Sequence, residues 1–180
     1  APVTAAVPAN KNTFAGDIIP FGFQMGNMKS VATVSFTFEK DAALQYTNLI
    51  GRNGFTPLGI KWNDDNTATI ALSYLQNGAG GSVTKTDLLD VAEVRFKEIL
   101  EDMTVGIKLV DVSAAGYDEN GKAVYFTKKI TAANASTAVS NKPSCDVNGD
   151  GVSDLLDITY CQKYYRKGES ASDWNDFKHC

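Results

Sequence analysis

The residues best spaced for chemistry lie in Asp146-Val-Asn-Gly-Asp-Gly-Val-Ser-Asp-Leu-Leu-Asp157. Counted as twelve positions, oxygen-bearing side chains fall at position 1 (Asp146), 3 (Asn148), 5 (Asp150), 9 (Asp154) and 12 (Asp157). Position 6 is Gly151, where the chain must turn sharply into a conformation that costs other residues more. Position 7 is Val152, whose backbone carbonyl is the ligand, so its side chain is free to be apolar. Hard oxygen donors at irregular short intervals suit a large, hard cation of flexible coordination, and calcium is the expected ion. Zinc would want sulfur or nitrogen. The competing reading, an acidic turn without an ion, leaves four carboxylates within twelve residues repelling one another. Position 12 is Asp, whose arm is one methylene shorter than that of the usual Glu.

The elements around this loop are unequal. Ile158-Thr-Tyr-Cys-Gln-Lys-Tyr-Tyr-Arg-Lys167 reads as an exiting helix closed by Gly168, with Asp157 also placed to cap it. Ahead of the loop, Ser140-Asn-Lys-Pro-Ser-Cys145 holds a proline and no helical period, so no entering helix is expected. Leu155, Leu156, Ile158, Tyr160 and Tyr164 give the short unit more apolar surface than it can bury alone. Docking of this tail onto the chain's own β region is therefore one expectation, and an external partner is another.

Other chemistry is sparse. The single histidine, His179, rules out histidine-rich metal sites and leaves a Ser–His–Asp or Cys–His arrangement only at the far C-terminal end. Cys145, Cys161 and Cys180 all fall in the last fifth of the chain; a disulfide between Cys180 and either earlier cysteine is expected, with the partner open. Asp87, Asp90, Glu93, Glu98 and Glu101 sit in no telling motif and read as solvated surface charge rather than a glycosidase pair. Asn77-Gly-Ala-Gly-Gly81 lacks the lysine and strand–helix context of a phosphate cradle and reads as a flexible turn. Trp62 reads as a packing ring more than a stacking platform.

Residues 12–131 read as strands. Val31-Ala-Thr-Val-Ser-Phe-Thr-Phe38 alternates, which puts Ala32, Val34, Phe36 and Phe38 on the core face and Thr33, Ser35 and Thr37 toward solvent or a second layer. Thr67–Tyr74 repeats the pattern with Ala68, Ile70, Leu72 and Tyr74. Val105, Ile107 and Leu109 share a face in a further strand, and Ile18–Phe23, Val91–Phe96 and Ala123–Lys128 complete the set, with Phe96 in the core. Thr86–Leu89 reads as a turn or short helical piece before its strand. Arg52-Asn-Gly54, Asn63–Asn66, Asn77–Gly81 and Asp118–Gly121 supply turns that need positive φ or Asx hydrogen bonds. Short strands at this spacing predict a sandwich of two antiparallel sheets over residues 1–131. Residues 132–144 are small, polar and aperiodic and read as a linker, and 145–180 form the calcium module.

Composition sets outer bounds. Apolar residues make up 43% of the 180, enough for a packed core, and 17 Lys plus Arg against 21 Asp plus Glu give a net charge of −4. With no basic tract beside aromatic platforms, a nucleic-acid partner is not expected. No apolar run is long enough for a membrane span.

The stretch Asp146-Val-Asn-Gly-Asp-Gly151 with Asp154, Asp157, Ile158, Thr159 and Gln162-Lys163-Tyr164 resembles a dockerin module: an EF-hand-like calcium loop followed by one helix. Dockerins carry two such repeats; only the first is visible, Trp174–Cys180 holding no second loop. The module is thus either a half or one whose second repeat lies beyond this sequence. The resemblance implies calcium as cofactor and a cohesin-like protein as partner, read by Leu155 and Leu156 at loop positions 10 and 11 and by Gln162 and Lys163 on the helix. The β region, from Phe14-Ala-Gly-Asp-Ile-Ile-Pro-Phe21 through Val31–Phe38, Leu89–Phe96 and Val105–Val112, is similar to a cohesin, whose partner would be dockerin-like. A carbohydrate-binding sandwich with a polysaccharide ligand and an immunoglobulin-like spacer are the other readings of the same strands.

The expected protein is therefore mainly β: an antiparallel jelly-roll or cohesin-like sandwich with a small calcium-loop-plus-helix tail. Its expected role is non-catalytic calcium-dependent protein–protein recognition in a secreted or cell-surface bacterial polysaccharide-degrading or cellulosome-type protein. The alternatives are a carbohydrate-binding module attached to a glycoside hydrolase and a structural spacer with an intramolecularly docked tail.

Overall fold

The alternation of Val34, Phe36 and Phe38 places their rings and branches on one face of a long central strand, and the structure builds two sheets around that face. The computed structural model describes residues 3–8, 13–14, 16–140, 146–148, 150, 152 and 154–163. In chain order the strands are β1 (Thr4–Ala6), β2 (Thr13–Phe14), β3 (Ile19–Gly26), β4 (Met28–Lys40), β5 (Tyr46–Gly51), β6 (Phe55–Trp62), β7 (Thr67–Gln76), β8 (Ala79–Gly80), β9 (Val83–Lys85), β10 (Leu89–Phe96), β11 (Met103–Tyr117) and β12 (Ala123–Ser140), followed by the helix α1 (Leu155–Lys163). The smaller sheet has the order β1-β3-β10-β5; the larger runs β2-β12-β11-β4-β7-β6, with β8 added to β7 and β9 to β4. All pairings are antiparallel except β2 with β12.

The core fills the space between the sheets. Ile19, Phe21, Phe23 and Met25 descend from β3, Val94 and Phe96 from β10, and they meet Val34, Phe36 and Phe38 of β4, Ile70 and Leu72 of β7, and Leu109 of β11, all buried. The ring of Phe23 lies 5.2 Å from that of Phe36 and 5.4 Å from that of Phe38, so aromatic contact ties the two layers together. Trp62 packs edge-on against Phe38 and Tyr46, as a packing ring.

Bulges on β4, β10 and β11 shift the simple alternation. Register slips on β4 between Val31 and Thr33, opposite Gly116 and Ala115, so Val31 is buried where Ala32 was expected. On β10 the slip between Asp90 and Ala92 buries Val91 and Ala92 side by side. On β11 it falls between Leu109 and Asp111, so the core face passes from Val105, Ile107 and Leu109 to Val112 and Ala114.

The turns follow their chemistry. Asn53 and Gly54 have φ of 52° and 88°, and Phe55 N–H donates to the Arg52 carbonyl at 3.0 Å, closing the tight turn that carries the chain between the sheets. Asp64 Oδ1 accepts from the amides of Asn66 and Thr67, and Asp118 Oδ1 from those of Asn120 and Lys122. Residues 86 and 87 bend, and the strand begins at Leu89.

The linker expected over 132–144 is corrected over most of its length. β12 continues to Ser140, with Ala133 to Val139 in register with Leu109 to Met103. Ala135, Thr137 and Val139 are buried on the inner side while Asn134, Ser136 and Ala138 are exposed. The Thr137 hydroxyl is satisfied by that of Thr13 at 3.1 Å. The sandwich boundary expected at residue 131 therefore moves to 140. Residues 141–145 lie outside the described residues.

Candidate functional site

The twelve-position loop folds on its own carboxylates. Asn148 Oδ1 accepts the Asp150 amide at 2.8 Å and Asp150 Oδ1 the Val152 amide at 2.9 Å, each closing an Asx turn. Asp154 Oδ1 accepts the Leu156 amide at 2.7 Å, and Asp157 Oδ2 reaches back to the Asp154 amide at 2.8 Å. Asp154 is thus the N-cap and Asp157 the third helical residue of a reciprocal capping box, with Asp replacing the usual Glu. Asp157 Oδ1 also accepts the amides of Val147 (2.7 Å) and Asn148 (3.1 Å), clamping the start of the loop to the start of α1. Hydrogen bonds from the Asp154 and Asn148 amides hold the Asp157 carboxyl below its ordinary range. Asp157 and Asp146 are buried.

This donor set is all oxygen, which fits a hard cation in kind. Among the described residues, no group of three or more Asp, Glu, His or Cys side chains is gathered closely enough to hold a metal ion. What the loop shows directly is a helix start organised by Asp154 and Asp157. Of the partner-reading candidates, Leu155 and Leu156 are 77% and 59% exposed, and Gln162 and Lys163 are exposed on α1. Docking of the tail onto its own β region through the two leucines is corrected: their side chains face solvent, and the one buried residue of α1 is Asp157, held by its own loop. Cys161 carries a free thiol, so the expected Cys161–Cys180 bond is not made; its alternative, Cys145–Cys180, lies outside the described residues.

A second candidate surface is the outer face of the larger sheet. The residues that alternate with the core contribute Thr33, Ser35 and Thr37 from β4, Thr69, Ala71 and Ser73 from β7, and Ser113 and Ala115 from β11. The ladder sets Thr33 opposite Ser73, Ser35 opposite Ala71 and Thr37 opposite Thr69, with Ser113 beside Ser35 and Ala115 beside Thr33. Thr37 and Thr69 hydroxyls bond at 2.8 Å. All eight side chains are small, uncharged and half-buried by their neighbours. On β12, Tyr125 lies beside Ala115 with its ring 74% exposed, and hydrogen bonds to Thr127 and Ser113 lower its phenol from its ordinary value. The centre of the face offers hydroxyls, and at its edge Asp111 of β11 lies beside Thr37 and Lys61 of β6 beside Thr69. Composition hid it, because Ser, Thr and Ala also populate ordinary solvated strands; the signal available was the run of Ser, Thr and Ala at alternate positions 33–37, 69–73 and 113–115.

Of the carboxylates set aside as surface charge, Asp90 and Glu93 lie on β10 of the smaller sheet. Glu93 Oε2 accepts from Arg95 Nε at 2.7 Å and an Arg52 guanidinium nitrogen at 3.2 Å, and Asp90 accepts from Gln24 at 2.8 Å. These are partly solvated pairs on the smaller sheet. Among the described residues no helix is long and apolar enough to cross a membrane.

This architecture, two sheets with a long central β4 and a parallel β2–β12 closure, is the fold of cohesin modules. The seventh ScaB type I cohesin from Pseudobacteroides cellulosolvens superimposes with a TM-score of 0.59 over 79% of this chain and 94% of its own, at 14% identity. A cohesin module from a Clostridium perfringens family 33 glycoside hydrolase gives 0.59 over 77% and 97% at 12% identity. A non-cellulosomal cohesin from the hyperthermophilic archaeon Archaeoglobus fulgidus gives 0.51 over 77% and 91% at 16% identity. At these identities the likeness is one of fold. No protein-family model matches the chain, and no curated protein matches it.

Proposed function

We propose that this chain is a non-catalytic recognition unit of a secreted, cellulosome-type or polysaccharide-degrading assembly, and that its sandwich binds a dockerin-like protein through the outer face of β11, β4, β7 and β6. The observation that carries the reading is the hydroxyl-bearing patch centred on Ser35 and Ala71, with Asp111 and Lys61 at its edge, on a cohesin fold. The centre of such a surface can be desolvated by a partner at low cost, because its eight side chains carry no charge, while its hydroxyls fix orientation and Asp111 and Lys61 offer charge pairing at the edge. Leu58, in the bulge of edge strand β6 and 65% exposed, supplies an apolar anchor at the rim.

The test is isothermal titration of the full chain against a panel of calcium-loaded dockerin modules. At least one should bind with micromolar affinity or better, and Ser35→Arg/Ala71→Arg should weaken it by ~100-fold or more, since two guanidiniums would be buried without partners. An unchanged affinity in a double variant that keeps its near-UV dichroism, or no binding across the panel, rejects the proposal.

The tail is read as a calcium-binding, dockerin-like half module. Asp146, Asn148, Asp150, the Val152 carbonyl, Asp154 and Asp157 are its ligands, and Leu155, Leu156, Gln162 and Lys163 its partner contacts. Support comes from the spacing, the all-oxygen donor set and the exposure of the four contact residues. Calcium would supply the positive charge that lets the carboxylates close together. Titration of chelator-stripped protein should give one site, lost in Asp146→Ala; no heat at millimolar calcium would end the reading.

A further inference from the structure

At one end of the recognition face the sheet is walled into a cleft of about 500 Å³. Its floor is Thr33 of β4 and Ser73 of β7, side by side in the ladder. One wall is the β7–β8 hairpin with the segment that follows it, presenting Gln76 and Ser82; the other is Tyr117, the last residue of β11. The hairpin is held by its turn: Asn77 and Gly78 have φ of 51° and 79°, Gln76 pairs with Ala79, and the Gly81 amide donates to the Tyr74 carbonyl at 3.2 Å. Gly81 lets the returning chain pass against Gln76, since a Cβ there would come within 2.8 Å of the Gln76 Cβ. The wall is thus built to stand close, and Tyr117 faces it with 49% of its surface exposed.

The chemistry of the lining restricts the ligand. Charged residues make up 21% of the chain, yet every described side chain lining the cleft is uncharged. An ionic ligand would find no counter-charge there. A purely apolar ligand would cover hydroxyls and an amide without satisfying them. A neutral polyhydroxylated ligand suits both parts: its hydroxyls meet Thr33, Ser73, Gln76 and Ser82, and the C–H face of a pyranose ring lies on the Tyr117 ring, whose apolar body is open and whose polar tip accepts water. The volume falls in the range of small-molecule sites, which run from ~300 to ~1,000 Å³. We propose that this cleft is a subsite for a neutral oligosaccharide, distinct from the protein-recognition role and able to operate without a protein partner.

The full ¹⁵N-labelled chain is titrated with cellohexaose, xylohexaose, mannohexaose and maltohexaose, with an oligogalacturonate as the charged comparison. At least one neutral sugar should shift the amides of Thr33, Ser73, Gln76, Gly80 and Tyr117 with a Kd near ~1 mM, and the oligogalacturonate should bind more weakly. Tyr117→Ala should weaken binding by about ten-fold, Tyr117→Phe should retain it, and Gln76→Ala should weaken it through a different contact. Tyr125→Ala should leave the affinity unchanged. No shift with any neutral sugar, shifts confined to other residues, or the same Kd in Tyr117→Ala and Gln76→Ala as in the original chain would overturn the proposal. Gln76 is exposed beyond the sheet, so its variant carries the test even if Tyr117→Ala folds poorly. No dockerin is present, so failure here leaves the protein-recognition reading standing, and the reverse holds too.

Discussion

Replacing Phe23 with alanine tests whether the recognition face is held flat by the sheet beneath it. Phe23 is fully buried on β3, and its ring touches those of Phe36 and Phe38, whose strand β4 carries Thr33, Ser35 and Thr37 on its other side. Truncating such a ring removes its transfer energy and leaves a cavity that neighbouring side chains only partly fill, at a cost of about 3–5 kcal/mol. A domain of this size loses about 3 °C in midpoint per kcal/mol, so Tm should fall by about 10–15 °C. Phe23→Leu keeps most of the volume and should cost about 1–1.5 kcal/mol. Tyr125→Ala, at a ring 74% exposed, should stay within ~0.5 kcal/mol of the original. Thermal melts read the midpoints, and urea unfolding with unchanged slope shows that the loss is one of stability rather than cooperativity. If Phe23→Ala costs less than ~1 kcal/mol, or no more than Tyr125→Ala, the two sheets do not share one interlocked core and the argument fails.

Three further outcomes are expected. The Asp157 carboxyl is held below its ordinary 3.8 by backbone amides, so its stabilisation of the loop and helix start is complete above that value and is lost as pH falls through the lower folded value. A carboxyl NMR titration should show this, and the Val147 and Asp154 amide shifts should lose their acid transition in Asp157→Asn. Gly116→Ala should lower stability by about 1–3 kcal/mol in urea, because its Cβ would overlap the Ser30 carbonyl oxygen across the β4 bulge. Native-state thiol titration should find Cys161 reactive, since it is unpaired and partly exposed on α1; protection from reagent until denaturation would contradict that geometry.

The strands that sequence made plain are those whose inner residues are large. Phe36, Phe38, Ile70 and Leu72 are apolar enough that alternation alone sets their direction, and Asn-Gly pairs set the turns between them. Residues 134–140 alternate just as regularly, but their inner residues are Ala135, Thr137 and Val139; side chains that small carry little hydrophobic signal, so the segment reads as a tether. The bulges at Ala32, Val91 and Val110 were equally hidden, because an extra residue leaves the local pattern intact and changes only which parity faces inward beyond it. At the loop, the capping role of Asp157 was legible from its place before the helix. The exposed leucines were not, because apolarity alone does not say whether a partner is within the chain or outside it.

The extension of β12 to Ser140 also changes how far the tail can act. Only 141–145 separate the last strand residue from Asp146, and six Cα steps cannot exceed ~20 Å, about half the span of a tether beginning at residue 132. A leash that short confines the exposed leucines to a small volume next to the β2–β12 end of the sandwich, at an effective concentration in the millimolar range. A macromolecule already gripped there would meet the tail at that concentration, so a contact too weak to be detected between separate molecules would lengthen its residence. Each added residue in 141–145 would dilute the second grip without touching either surface.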